Sequence, residues 1–473
     1  MYSADSSPHY YERVKLRAQS VRADRPMALE VDWFLRAHPE VRMIEALLPD
    51  ANGILRGKWL PRDKLAKVYK GELKFPKTAL SLDIFGRDVE ELVFASGDDD
   101  GVCLPIEGSL LPTPWSPQGR HGQLMLTMFD ADGTPFLGDA RQVLKKVVGR
   151  YHALGWRPVV AAELEFSLVQ WDGKRPRHSQ ANPYRGQPIG GNLYGLDVLQ
   201  RNHLMLEQIH RACQIQGLPF DGVVKESAPS QYEINMCHVD SPVLAARQIM
   251  MMKRVIKEIA RQHDLVASFM PKPFEGEAGN GMHIHCSVVD ENGDNLFDDG
   301  SDAGSNELRS AIAGCLQHMP ASFAIFAPSF NAYRRFQKGT HAPVTPNWGY
   351  ENRTVAVRVP AGGPHSRRFE HRVAGADANP YLAIAAILAA ALDGIERGLF
   401  PDEPVSGDGY RIRKPTLPLY MQEALRLFRE SDFITNALGA ELQHSFVMTK
   451  TQELAEFERH ITSLEYHAYV ERL

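Results

Sequence analysis

The chain has 473 residues, 44% of them hydrophobic and 23% charged, with a net charge of -5. That composition excludes a wholly disordered, collagen-like or coiled-coil protein, and the length fits two or three domains or one large one. The near-balanced charge offers no electrostatic reason to expect nucleic acid or an anionic membrane as partner. The longest apolar run, Tyr381 to Leu392, is 12 residues. A spanning helix needs about 20, so the run reads as a buried helix. The N-terminus (Met1 to Pro26) lacks the apolar core of a secretory signal, and a cytoplasmic location is expected. Cys103, Cys213, Cys237, Cys286 and Cys315 never form C-x-x-C. They read as buried thiols rather than a disulfide framework or a zinc site.

In chain order, Leu29–His38 reads as a helix and Val41–Leu48 as a strand. The turn Asp50-Ala51-Asn52-Gly53 then leads into Ile54–Leu60, and Asn-Gly between apolar runs is a hairpin signal. A Gly/Asp/Pro stretch at 130–138 marks a domain boundary near 130–137, ahead of helical Ala140–Leu154. Beyond it strand and helix signals alternate. Trp156–Gln170 reads as a strand, Asp197–Gln216 as a helix, Gly222–Met236 as a kinked strand and Pro242–His263 as a helix. Gly281–Val289 reads as a strand, and Asp290–Asn306 as a surface loop. Helical Leu308–Ile325 and strands Thr354–Pro360 and Arg367–Val373 follow. The last of these elements is helix Asn379–Arg397, with Asn at the N-cap and Pro380 at the first position.

Period-two geometry turns these strands into a surface that presents ligands, because residues i and i+2 share a face. Glu163 and Glu165 face one way, as do His283 and His285, and Glu370 lies between Arg368 and Arg372 on one face. Glu226 and Glu233 add a third acidic strand. Singly, each pattern also reads as a solvent-facing pair or an ion-pair ladder. Together they suggest a carboxylate-dominated site for divalent cations of the Mg or Mn type, because buried like charges are costly without compensation. Neighbouring arginines would supply planar donors to phosphate or carboxylate. No P-loop, G-x-G-x-x-G, H-E-x-x-H or G-x-S-x-G is present, so any nucleotide phosphates would be held by cations and arginines.

Taken in order and spacing, these residues resemble the glutamine synthetase family across about residues 30–473. The resemblance rests on Glu163-Leu164-Glu165, Glu226 through Gln231-Tyr232-Glu233, and Gly279-Asn280-Gly281-Met282-His283-Ile284-His285. It rests also on Asn331-Ala332-Tyr333-Arg334-Arg335, Asn352-Arg353 through Arg358-Val359-Pro360, and Arg368-Phe369-Glu370-His371-Arg372 ahead of Asn379-Pro380-Tyr381. It implies an α+β fold: an extension (1–28), a β-grasp domain (29–133), and a catalytic domain (134–473) with an antiparallel sheet surrounded by helices. It implies one divalent metal, Mg2+ or Mn2+, on Glu165, Glu226 and Glu233, and a second on Glu163, His283 and Glu370. Gly279, Arg335 and Arg372 would hold L-glutamate, Ser287 would lie near the ATP base, and Arg353, Arg358 and Arg368 would face the phosphates. Asp50 would reach the site of a neighbouring subunit in a hexameric ring or stacked dodecamer.

The implied reaction forms γ-glutamyl phosphate from glutamate and ATP, after which an amine displaces phosphate. Where ammonium-using members carry Gly-[Tyr/Phe]-Glu-Ala-Pro, this chain has Gly339-Thr340-His341-Ala342-Pro343, and Ala278 replaces the usual Asn before the glycine. Together with Asp50 to Lys58 and Leu417 to Leu425, this resembles the branch that γ-glutamylates organic amines, the γ-glutamylpolyamine synthetases among them. Asp50 and His341 are then the bases expected to deprotonate the amine. Tyr410 falls where some bacterial members carry an adenylylated Tyr, though the Leu-Tyr-Asp-Leu context is missing. The alternatives are an ammonium-using glutamine synthetase and a non-catalytic scaffold; the glutamate-binding arginines argue against a phosphoguanidino kinase.

Overall fold

A computed structural model describes residues 27–179, 192–337, 339–411 and 417–473. The expected extension 1–28 lies outside them but for its last two residues. The Asp50–Gly53 turn forms as the Asn-Gly signal requires, joining β1 (Met43–Pro49) to β2 (Leu55–Pro61) antiparallel. Four more strands complete the first sheet: β3 (Lys74–Pro76), β4 (Asp100–Pro105), β5 (Leu111–Pro112) and β6 (His121–Phe129). The order is β2-β1-β6-β4-β3, with β5 on β6. Only β1–β6 is parallel. Helix Met27–Ala37 contributes Val31 and Phe34 to this sheet's own core, with Ile44, Leu124 and Met128.

The second sheet has nine strands: β7 (Arg157–Trp171), β8 (Pro176–His178), β9 (Phe220–Lys225), β10 (Gln231–Met236), β11 (Val266–Ser268), β12 (Met282–Val289), β13 (Trp348–Tyr350), β14 (Val357–Val359) and β15 (Phe369–His371). Its order is β13-β14-β15-β12-β7-β10-β9, with β8 and β11 also on β7. The antiparallel expectation holds except at the edge, where β13 and β14 run parallel.

Four expectations are corrected in detail. Gly222–Met236 is not a kinked strand but the hairpin β9–β10, because Pro229 has no N–H for a ladder and the turn closes through Gln231 N–H to Ala228 O. The helix expected over 197–216 breaks at Asn202 into Leu196–Arg201 and His203–Gln216. The strands expected over 354–360 and 367–373 shorten to three residues each. Cys237 is exposed, whereas the other four thiols are buried.

The apolar run behaves as read. Every residue from Tyr381 to Leu392 is buried in helix Pro380–Glu396, and the Asn379 side chain caps it by accepting from the Tyr381 and Leu382 amides. This helix packs on Ala140–Ala153, Pro242–Gln262 and Asn306–Phe326. Among the described residues no helix is long and apolar enough to cross a membrane. The β1–β2 turn docks on the large sheet's helical layer: Asn379 donates to Asp50 O at 2.9 Å, Asn52 donates to Glu453 Oε1 at 2.9 Å, and Lys450 bridges Asn52 and Glu453.

Candidate active site

Strand register assembles the site. β15, β12, β7 and β10 are consecutive neighbours, and the ladder sets Arg358 opposite Glu370, Glu370 opposite His285, His283 opposite Glu163 and Glu165 opposite Glu233. Residues far apart in the chain thus converge on one face of the sheet, as the period-two pattern requires.

Glu163 stands at the centre. Its Oε2 is 3.0 Å from His283 Nδ1 and its Oε1 is 2.9 Å from His285 Nε2. Arg368 Nε donates to His285 Nδ1 at 3.1 Å, which assigns the remaining ring proton to Nε2, facing Glu163. Burial, the largest influence, would raise the Glu163 pKa, but the bonds from His283 and His285 outweigh it and hold the carboxyl well below the usual carboxylate range. Glu370 is fully buried. Burial again opposes ionisation, and Arg372 and His283 overcome it, keeping Glu370 low. Arg358 donates to Glu370 at 2.8 Å, and Arg372 bonds its other oxygen.

The carboxylates toward β10 behave oppositely. Burial, reinforced by Glu163 and Glu165, pushes Glu233 up to about 9. Glu226 rises to about 7 through burial and the charge of Glu165. Glu165 accepts from Gly281 N–H at 2.6 Å and from Gln231 at 3.2 Å. Gln231 also donates to Gly279 O at 2.9 Å, tying β10 to the loop expected to hold glutamate. Glycine is required in that loop. A Cβ on Gly279 would stand 2.2 Å from Pro271 O, and one on Gly281 would stand 2.6 Å from the Arg335 guanidinium.

Among the described residues, two groups bring ligand atoms within 4.8 Å of one another: Glu163, His285 and Glu370, and Glu163, Glu233 and His283. The donor set fits divalent cations: it is buried, dominated by carboxylate oxygen, and loaded with like charge that only protons or cations can offset. The grouping differs from the expected one. Glu163 belongs to both groups and Glu165 and Glu226 to neither, while His285, whose Nδ1 accepts from Arg368 and whose Nε2 faces Glu163, supports that carboxylate rather than offering a lone pair.

The remaining residues fall into three sets. Arg335 and Arg372 are buried beside the cluster, with Arg335 donating to Val373 O at 2.7 Å. Ser287 lies further along β12, opposite Val159, while Arg353 and His341 are exposed. Asp50 is not brought to the cluster of its own chain. Its carboxylate is fully buried, accepts from Ile54 N–H and Arg56 Nε at 2.8 Å each, and is pushed up to about 6 by burial.

The two elevated carboxyls set a pH dependence. Between the ordinary value of 4.5 and their folded values of about 7 and about 9, the folded protein binds more protons than the unfolded chain. Stability is therefore lost as pH rises through that window. Measured against a Glu233→Gln variant, which cancels the contributions of Lys225, Lys253, His238 and His371, the metal-free protein should lose stability from pH 5 to 9, and a divalent cation should remove that difference. At pH 7 cation binding should expel on the order of one proton, chiefly from Glu233. Titration calorimetry in buffers of different ionisation enthalpy measures that release, and no release would refute the assignment.

A two-sheet α+β fold carrying a buried carboxylate–histidine cluster among guanidiniums defines a cation-dependent enzyme that acts on anionic substrates. Comparison with known proteins narrows the class. Residues 137–469 match the family described as glutamine synthetase, catalytic domain. The chain is 39% identical over 447 residues to gamma-glutamylputrescine synthetase PuuA of Escherichia coli (strain K12), covering 92% of this chain and 93% of that protein. It is 30% identical over 454 residues to a glutamine synthetase of Thermotoga maritima, covering 94% and 100%. A solved structure described as a GmaS/ADP complex superposes with a TM-score of 0.82 at 28% identity, covering 93% of this chain and 99% of that one. The chain belongs to the glutamine synthetase family, whose members use ATP and divalent metal ions.

Proposed function

We propose that the protein joins the γ-carboxyl of L-glutamate to an organic amine, of which a short diamine of the putrescine class is the foremost candidate. It is an ATP-dependent glutamate–amine ligase. The full-length similarity to a γ-glutamylputrescine synthetase carries this reading, with the whole cluster of charged site residues in place to support it. Residues 29–133 are read as the β-grasp domain and 134–473 as the catalytic domain. The working assembly is read as a cytoplasmic homo-oligomeric ring.

Glu163, Glu165, Glu226, Glu233, His283 and Glu370 would hold two divalent cations, Mg2+ or Mn2+, with His285 supporting Glu163 from behind. Such cations supply charge neutralisation of a triphosphate. The protein's own groups do the rest. Gly279, Arg335 and Arg372 hold glutamate so that a γ-carboxylate oxygen bonds to the γ-phosphorus of ATP while the bridging oxygen leaves with ADP. Arg353, Arg358 and Arg368 stabilise the charge spread over the transferring group, and Ser287 borders the base. The neutral amine then bonds to the activated carbonyl carbon as phosphate departs. Aliphatic amines ionise near 10.4, so a base must take a proton first. His341 is read as that base; Asp50, the other expected base, is fully buried against Ile54 and Arg56 of its own chain, which argues against its reaching a neighbouring site.

ADP release measured against ammonium, putrescine, cadaverine, spermidine, ethanolamine and phenylethylamine tests this. Putrescine or another aliphatic amine should exceed ammonium in kcat/KM by at least about tenfold, about 1.4 kcal/mol of discrimination. Ammonium as the best substrate would overturn the choice of amine, and silence across the panel with metal-loaded protein would overturn the ligase reading.

A further inference from the structure

The segment Gly407–Arg411 has no role in the reaction as described, yet it is firmly built. Asn352 donates to Val405 O at 3.0 Å and to Gly407 O at 2.8 Å, and Gly409 N–H donates to Thr354 Oγ1 at 2.8 Å. These bonds seat a short 3-10 turn, Gly409–Arg411, with the half-buried ring of Tyr410 packed on the main core. From there the Tyr410 hydroxyl donates to Ala342 O at 3.1 Å. The phenol thus holds the carbonyl of the residue that follows His341. Burial raises the Tyr410 pKa, so the hydroxyl remains a donor.

The gripped residue is strained. His341 has φ +57°, a left-handed conformation that costs a residue with a Cβ on the order of 1–2 kcal/mol, and such strain persists only where the surroundings over-determine it. Thr340 braces the same stretch by donating to Arg335 O at 3.1 Å and to Gln337 O at 2.6 Å. The stretch is therefore tied on one side to a buried arginine of the site and on the other to Tyr410.

We propose that Tyr410 is a positioning residue for the amine half-reaction: its hydroxyl clasps the backbone around His341 and holds that imidazole in the one conformation from which it serves the incoming amine. The inference rests on the reading of His341 as part of the amine site. The clasp itself is a geometric statement that stands or falls separately.

Tyr410→Phe removes the hydroxyl and leaves the ring in its packing. The hydrogen bond to Ala342 O is what the substitution removes. The KM for the amine should rise about tenfold or kcat fall by as much, with the KM values for glutamate and ATP and the melting temperature unchanged. Glycine adopts positive φ freely, so Tyr410→Phe should have much less effect in a His341→Gly background than in the native chain. Amide hydrogen exchange over 339–343, measured without substrates, should quicken in Tyr410→Phe. Unchanged exchange, or equal losses for all three substrates, or the same loss in the glycine background, would overturn the proposal. His341→Ala separates the two readings. If it leaves amine kinetics untouched, the placement of His341 is wrong; if it alters them while Tyr410→Phe does not, only the clasp fails.

Discussion

Replacing Glu163 with glutamine should weaken divalent-cation binding by more than about 100-fold, the upper end of what outer-shell partners contribute, and should abolish turnover while lowering the stability of the metal-free fold. The argument is geometric. Glu163 is the one residue common to both groups of ligand atoms, and its two oxygens face His283 and His285 at 3.0 and 2.9 Å. A glutamine of the same shape keeps the packing but removes the negative charge. Stability should fall, because the ionised carboxylate is the form that His283 and His285 favour; part of the loss is offset, since Glu163 is among the charges that drive Glu233 up to about 9. Neutralising it relieves repulsion and should lower the Glu233 value. Calorimetric titration with Mn2+ and a thermal melt of the metal-free variant check both halves. A variant that still binds cations tightly would displace Glu163 from the centre of the site.

Gly314→Ala should be severe for the opposite reason, destabilising the fold by about 3 kcal/mol or more. Helices Asn306–Phe326 and Pro380–Glu396 touch backbone to backbone through two glycines. A Cβ on Gly314 would lie 2.0 Å from Ala390 O and 2.8 Å from the Gly394 backbone, and one on Gly394 would lie 2.0 Å from Ser310 O. Neither neighbour is a flexible side-chain tip, so the helices themselves would have to separate. Gly149→Ala supplies the control. That glycine is exposed in helix Ala140–Ala153 with no atom within 4 Å of an added Cβ, and alanine there should stabilise by about 0.5–1 kcal/mol. Denaturant unfolding of both variants decides the matter, and a Gly314→Ala protein as stable as the native one would contradict the close helix contact.

How far the chain could be read depended on the range of the physics involved. Alternation on a strand is local, so the pairing of Glu163 with Glu165 and of His283 with His285 on single faces was legible, as was the Asn379–Pro380 helix start. Register is not local. Nothing in the two segments says that His283 sits opposite Glu163 while His285 sits opposite Glu370, and that register is what lets both imidazoles meet the Glu163 carboxylate. The β9–β10 hairpin was hidden because four small or turn-forming residues, Ser227 to Ser230, were read as a kink rather than a reversal. Asp50 was legible as a turn residue, but its bond to Arg56 depends on side chains meeting across β1 and β2. The grip of Tyr410 on Ala342 joins residues 68 apart and left no trace in sequence spacing.

The helix buried on every face bears on the order in which the protein is made. Helices Ala140–Ala153, Pro242–Gln262 and Asn306–Phe326, which pack around it, all precede it in the chain. During synthesis, at about 5–20 residues per second, these earlier helices emerge with their inward faces uncovered. They wait many seconds for residues 380–396. The helical layer therefore gains its central member only near the end of translation, and ribosome-stalled chains that stop short of that helix should be the ones that chaperones hold.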